Sequence, residues 1–125
     1  MYDGLYDRVG LLEHCTEPAS GSLHYGLTWD DRNRKHFRER LRLSPGEVDA
    51  GIAAGYLFLE DDEEDCRYRY LFRPEPSPFS NQQAPIYRLI IDTSEGTLRP
   101  ITVFEESNVT AQNRYKAAQL NGDLE

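Results

Sequence analysis

The sequence has no long hydrophobic run. Nowhere do apolar residues approach the roughly 20 in succession that a membrane-crossing helix needs, so no membrane partner is expected. The opening Met1-Tyr2-Asp3-Gly4-Leu5-Tyr6-Asp7 carries neither a basic cluster nor the apolar stretch of a secretory signal, and a cytoplasmic protein is expected. Cysteine is scarce: Cys15 and Cys66 are the only two, they match no metal-binding spacing, and free thiols are expected of them. The three histidines, His14, His24 and His36, are scattered. There is no Gly-rich phosphate loop, no Ser/His/Asp set and no spacing of paired carboxylates. These absences leave metalloenzyme, kinase and hydrolase readings without support, and no cofactor and no metal are called for.

Apolar residues make up only 38% of the 125 positions, so the core is expected to be thin and to lean on the 14 aromatic side chains. The length fits one domain. The net charge of −8 opposes phosphate backbones unless the positive charge is gathered on one face.

The pattern along the chain gives one α+β domain. Residues 1–22 read as an N-terminal arm, with Leu5, Val9 and Leu12 in helical spacing ahead of Pro18, Ser20, Gly21 and Ser22. Residues 23–120 form the domain, and 121–125 a tail. Leu23 to Trp29 is expected as a strand. Asp30 is a cap candidate for a helix over Arg32–Leu43 whose apolar stripe, Phe37 and Leu41, is narrow. Ser44-Pro45-Gly46-Glu47 announces a second helix through a capping box with proline at its first position, and Gly55 ends it.

The period then becomes strand-like. Tyr56–Leu59 is one strand, and the unbroken acidic run Glu60–Asp65 is a solvated turn. Cys66–Arg73 alternates, with Tyr68, Tyr70 and Phe72 on one face and Arg67, Arg69, Leu71 and Arg73 on the other. Pro74–Pro85 is a long irregular loop. Ile86–Thr93 and Thr97–Glu105 form a hairpin about Ser94-Glu95-Gly96, with Pro100 marking an edge strand or a bulge. Ser107 or Asn108 caps a last helix that runs to about Leu120. The expected architecture is an N-terminal strand and two helices packed on a four-stranded antiparallel sheet, with a C-terminal helix.

Three groupings carry possible chemistry. Arg32, Arg34, Lys35, Arg38, Arg40 and Arg42 put six cations in eleven residues with only Glu39 opposing them. Such a helix can grip phosphates, or it can be a solvated face. The arginines of Cys66–Arg73, joined by Arg88 and Arg99 on neighbouring strands, offer a second cationic set whose interleaved rings are expected in the core. His36, in a cationic helix, is a candidate neutral base, and Glu105 at the end of the last strand a candidate second acid–base group.

Leu27-Thr28-Trp29-Asp30, Asn33-Arg34-Lys35-His36 and Leu43-Ser44-Pro45-Gly46-Glu47-Val48 together resemble the opening of BrnT-type toxins. Tyr87-Arg88-Leu89-Ile90-Ile91, Leu98–Phe104 and Asn113-Arg114-Tyr115 are similar in order to that family's closing hairpin and terminal helix, so the resemblance covers about residues 23–116. It implies a RelE-like fold and the activity of a small ribonuclease that cuts messenger RNA without a metal and is neutralised by a partner protein. The sequence departs from the family pattern at Ile101-Thr102-Val103-Phe104-Glu105-Glu106, where acids stand in place of a catalytic arginine, and in its overall acidity.

Two functions are expected from these residues. The first is a non-enzymatic interaction protein of RelE/BrnT-like fold that binds a protein partner, such as a nucleic-acid enzyme it modulates or inhibits. Its acidic surface would be formed by Glu60, Asp61, Asp62, Glu63 and Glu64 with Phe79 of the Pro-rich loop, and a homodimer is open to it. The second is a metal-independent endoribonuclease, with RNA as substrate. His36 and Glu105 would then be catalytic, and Arg38, Arg40, Arg69, Arg88 and Arg99 would hold phosphates.

Overall fold

The computed structural model describes residues 17–59, 66–74 and 84–125. The first regular element is a 3-10 turn over Ser22–Tyr25, where a strand was expected. Gly21 and Gly26 flank it in the positive-φ region (φ 75° and 116°), which only glycine adopts at little cost, and they turn the chain sharply at both ends. The Leu23 N–H is taken by the Tyr56 hydroxyl at 3.2 Å, and Thr28 N–H by the Leu98 carbonyl at 2.8 Å. The stretch is therefore satisfied by local turn bonds, His24 N–H to the Gly21 carbonyl and Gly26 N–H to the Leu23 carbonyl, and by isolated tertiary bonds rather than by a ladder.

Helix α1 spans Asp31–Arg40. Asp30 caps it by accepting the Asn33 N–H at 2.8 Å, while the Asn33 side-chain oxygen accepts the Asp30 N–H at 2.7 Å. The helix stops three residues before the expected Leu43, because Leu41 turns to extended backbone and lets Leu43 reach the core. Helix α2, Pro45–Ala54, begins at the capping box read from the sequence: the Ser44 hydroxyl accepts from Glu47 N–H, and the Glu47 carboxylate accepts from Ser44 N–H.

Four strands follow, β1 (Tyr56–Leu59), β2 (Arg67–Phe72), β3 (Tyr87–Asp92) and β4 (Arg99–Glu105), and then helix α3 (Val109–Asn121). The sheet is antiparallel in the order β1-β2-β3-β4, so consecutive strands are neighbours. The α+β class expected from the sequence is what the structure shows. The register shift opposite Ile90/Ile91 places a bulge beside Pro100, and β4 is an edge strand, so both readings of that proline hold.

The register rows sort the side chains by face. Tyr56, Phe72 and Tyr87 lie in one row, and Tyr70, Leu89 and Val103 in the next. All are buried under α1 and α2 with Phe37, Val48 and Ile52. The opposite face carries Leu59 and Leu71, covered by Ala111 and Tyr115 of α3. The molecule is thus helices, sheet, helix, in three layers. The alternation expected along β2 is observed, with Tyr70 and Phe72 in the larger core and Leu71 in the smaller one.

The terminal segment is fastened to the sheet. Glu125 exchanges two backbone hydrogen bonds with Tyr56 (2.8 and 3.2 Å), and its carboxylate accepts from the Gly21 N–H and the Ser20 hydroxyl. Cys66, at φ 63° just before β2, is disulfide-bonded, which corrects the expected free thiol. Cys15 lies outside the described residues. No described helix is long and apolar enough to cross a membrane.

Candidate functional site

The candidate site forms because the start of α1 is anchored to β4. Near its start, the Asn33 amide donates to the carbonyls of Thr28 and Pro100, each at 3.1 Å, with Asn33 buried to 3% exposure. Asp30 also accepts from the Arg99 Nε at 2.9 Å. Just past its end, Arg42 lies 3.9 Å from Glu105 in a solvent-exposed ion pair. The helix therefore runs alongside the strand from Pro100 to Glu105.

Between helix and strand lies a cleft of about 650 Å³, lined by Arg32, Asn33, Lys35, His36, Glu39 and Arg40 from α1 and by Arg99 and Ile101 from β4. The α1 residues fall at i, i+1, i+3, i+4, i+7 and i+8, which is one face of a helix. Among the described residues, Arg32, Lys35 and Arg40 have no carboxylate within ion-pairing distance. Glu39 is the only acid among the described residues of the lining.

The Arg99–Asp30 pair sets the charge at the mouth of the α1 end. The Arg99 guanidinium, followed by the Asn33 N–H, holds the Asp30 carboxyl below the usual carboxylate range, and the same contact raises Arg99. Arg99 thus stays cationic at any pH at which the fold persists.

The residues singled out from the sequence divide sharply. His36, Arg40 and Arg99 come together in the cleft. Arg38 does not join them: two residues before Arg40, it is rotated about 200° around the helix and does not line the cleft. Arg69 and Arg88 alternate onto the sheet face opposite α1, by the register that puts Tyr70 and Leu89 beneath the helices. Arg88 is in addition bound to Glu106 in a pair with side chains only 15% and 5% exposed. Glu105 is outside the cleft lining and engaged with Arg42. The expected set of five phosphate-holding arginines is therefore not one site, because the two-residue period of the strands sends two of them to the other face.

Glu60, Asp61, Asp62, Glu63, Glu64 and Phe79 lie outside the described residues. Sequence reasoning placed Arg32, Lys35 and Glu39 on the cationic helix without separating them from Arg34 and Arg38, and it missed Ile101 as a cleft residue and Asn33 as the anchor. The 3.6-residue period applied to the cations would have separated Arg32, Lys35 and Arg40 from Arg34 and Arg38. Among the described residues, no three of His, Cys, Asp and Glu are grouped as a metal site needs. No protein-family model, no curated protein and no solved structure matches the chain.

Proposed function

We propose that this chain is a non-enzymatic interaction protein and that its α1–β4 cleft receives an anionic segment of its partner. The observation that carries this reading is the gathering of Arg32, Lys35 and Arg40 around one concavity, with Arg99, itself paired to Asp30, on its far wall and Glu39 the one acid among the described residues of its lining. The overall charge of −8 does not cancel that field locally, because exposed charges beyond a Debye length of roughly 8–10 Å are largely screened. The same surplus of carboxylates disfavours a long polyanion laid across the whole surface.

Amide shifts on titration with inorganic tripolyphosphate at low salt test the reading. Shifts confined to α1, Arg99 and Ile101, and absent from Arg32→Glu/Lys35→Glu/Arg40→Glu, are expected. No shifts in the unaltered protein would refute it.

One observation favours a second reading, a metal-independent endoribonuclease. His36, a candidate base, shares the cleft with two candidate phosphate-holding groups, Arg40 and Arg99. Glu39, on the same helix face, then takes the acid–base place first read at Glu105. RNA cleavage in EDTA that disappears in His36→Ala supports this reading. Intact RNA leaves the interaction protein.

A further inference from the structure

We infer that the segment received by the cleft is an extended acidic peptide that adds to β4 as a fifth strand, an inference that rests on the anionic-ligand reading above. A four-stranded open sheet has two edges. The β1 edge is short, four residues, and its first residue is taken by the reciprocal bonds between Tyr56 and Glu125. Among the described residues, the β4 edge is held only at its beginning, where Thr28 binds the Leu98 carbonyl and Asn33 the Pro100 carbonyl. Beyond that point no described strand pairs with it.

The register fixes which backbone groups remain. Glu106 N–H donates to the Ile86 carbonyl at 2.8 Å, so the pairs Ile86–Glu106, Arg88–Phe104 and Ile90–Thr102 are the hydrogen-bonded ones. The intervening residues, Val103 and Glu105, then direct their N–H and C=O away from β3, toward the open edge. A peptide strand pairs with two such donor–acceptor sets. A sugar–phosphate backbone offers no alternating donors and acceptors at that spacing, which decides between the two polymers.

The side chains complete the match. Alternate residues of an added strand would face α1, spaced roughly 6.6–6.8 Å apart, so three of them span about 13 Å. Arg32 to Arg40 covers about 12 Å of helix rise, and α1 runs along β4 between its contacts to Pro100 and Glu105. Carboxylates on that face meet Arg32, Lys35 and Arg40, the three cations without an ion-pair partner among the described residues. The intervening side chains lie on the other sheet face beside Phe104, which is 44% exposed, and half-buried Thr102. The partner segment therefore alternates acidic with apolar or β-branched residues. Pro100 and the bulge beside it limit the available edge to the few residues that follow, which makes the pairing short and reversible.

The probe is a fluorescent decapeptide of alternating glutamate and valine, compared with the same peptide N-methylated along one edge, which keeps its charge and removes its donors. The expected result is binding of the first peptide, slowed hydrogen exchange at the Val103 and Glu105 amides, and binding of the methylated peptide weaker by roughly tenfold or more. Equal binding of both peptides would overturn strand addition and leave the cationic cleft standing. Failure of the plain peptide to bind also overturns it. If tripolyphosphate then fails to shift the α1 amides as well, the cleft reading falls with it.

Discussion

The side-chain amide of Asn33 donates at 3.1 Å to the carbonyl of Pro100, joining the first turn of α1 to the edge strand of the sheet. The same residue closes the capping box with Asp30 and binds the Thr28 carbonyl, so one buried side chain sets both the start of the helix and its position over β4. Asn33→Ala leaves two carbonyls without this donor and opens the box. A loss of about 2–4 kcal/mol in urea unfolding is expected, because a buried polar group left without its partner costs roughly 1–3 kcal/mol and the lost cap adds about 1. A loss under 0.5 kcal/mol would contradict the anchoring role.

The neighbouring Asp30–Arg99 pair gives a pH signature. The folded Asp30 carboxyl titrates below its unfolded value of about 3.9. Its contribution is therefore complete above that unfolded value and is lost as pH falls through the folded one. Asp30→Asn keeps an oxygen to cap Asn33 but gives up the charge facing Arg99. The variant should melt below the unaltered protein at neutral pH and alongside it in strong acid. A difference that stays constant down the pH scale would count against the pair as its source.

Gly51 sits inside α2, where alanine is intrinsically better by roughly 1 kcal/mol. A Cβ there would stand 2.5 Å from Phe72 Cδ2 and 3.1 Å from the Arg73 carbonyl oxygen, where α2 lies against β2. Forcing an extra methyl into such packing costs about 1–3 kcal/mol, so Gly51→Ala should destabilise the fold despite the gain in helix propensity. Chemical denaturation reads the sign directly, and a stabilised variant would show that α2 moves away from β2 freely.

Arg88 and Glu106 form a charge pair on the sheet face away from the cleft, and the Glu106 carboxylate also accepts the Asn108 N–H at 3.0 Å at the start of α3. Arg88→Met strands that carboxylate and should cost about 3–5 kcal/mol. Arg88→Met/Glu106→Gln keeps an acceptor for Asn108 without the charge and should recover much of the loss. Neither variant should alter tripolyphosphate binding at α1. An effect there of the size seen in the cleft variants would mean that the two faces are coupled.

Local chemistry was legible before any coordinates. The capping box at Ser44–Glu47, the cap at Asp30, the alternation of β2, the hairpin about Gly96 and the proline on an edge strand are all set by residues within a few positions of one another. The strand expected over Leu23–Trp29 was not legible, because two positive-φ glycines and bonds to the distant Tyr56 and Leu98 override its strand-like composition.

Composition pointed to a core that leans on aromatic side chains, and the order of residues along the chain to a small α+β fold and one helix crowded with cations. Where those cations act was decided only by tertiary structure. The two-residue period of the strands carried Arg69 and Arg88 to the far face, and helical rotation kept Arg38 out of the cleft. Asn33, through its partner 67 residues away at Pro100, brought Arg32, Lys35 and Arg40 alongside Arg99. Such contacts depend on how the layers pack and not on any neighbour in sequence, which is why the cleft appears only once the chain is folded.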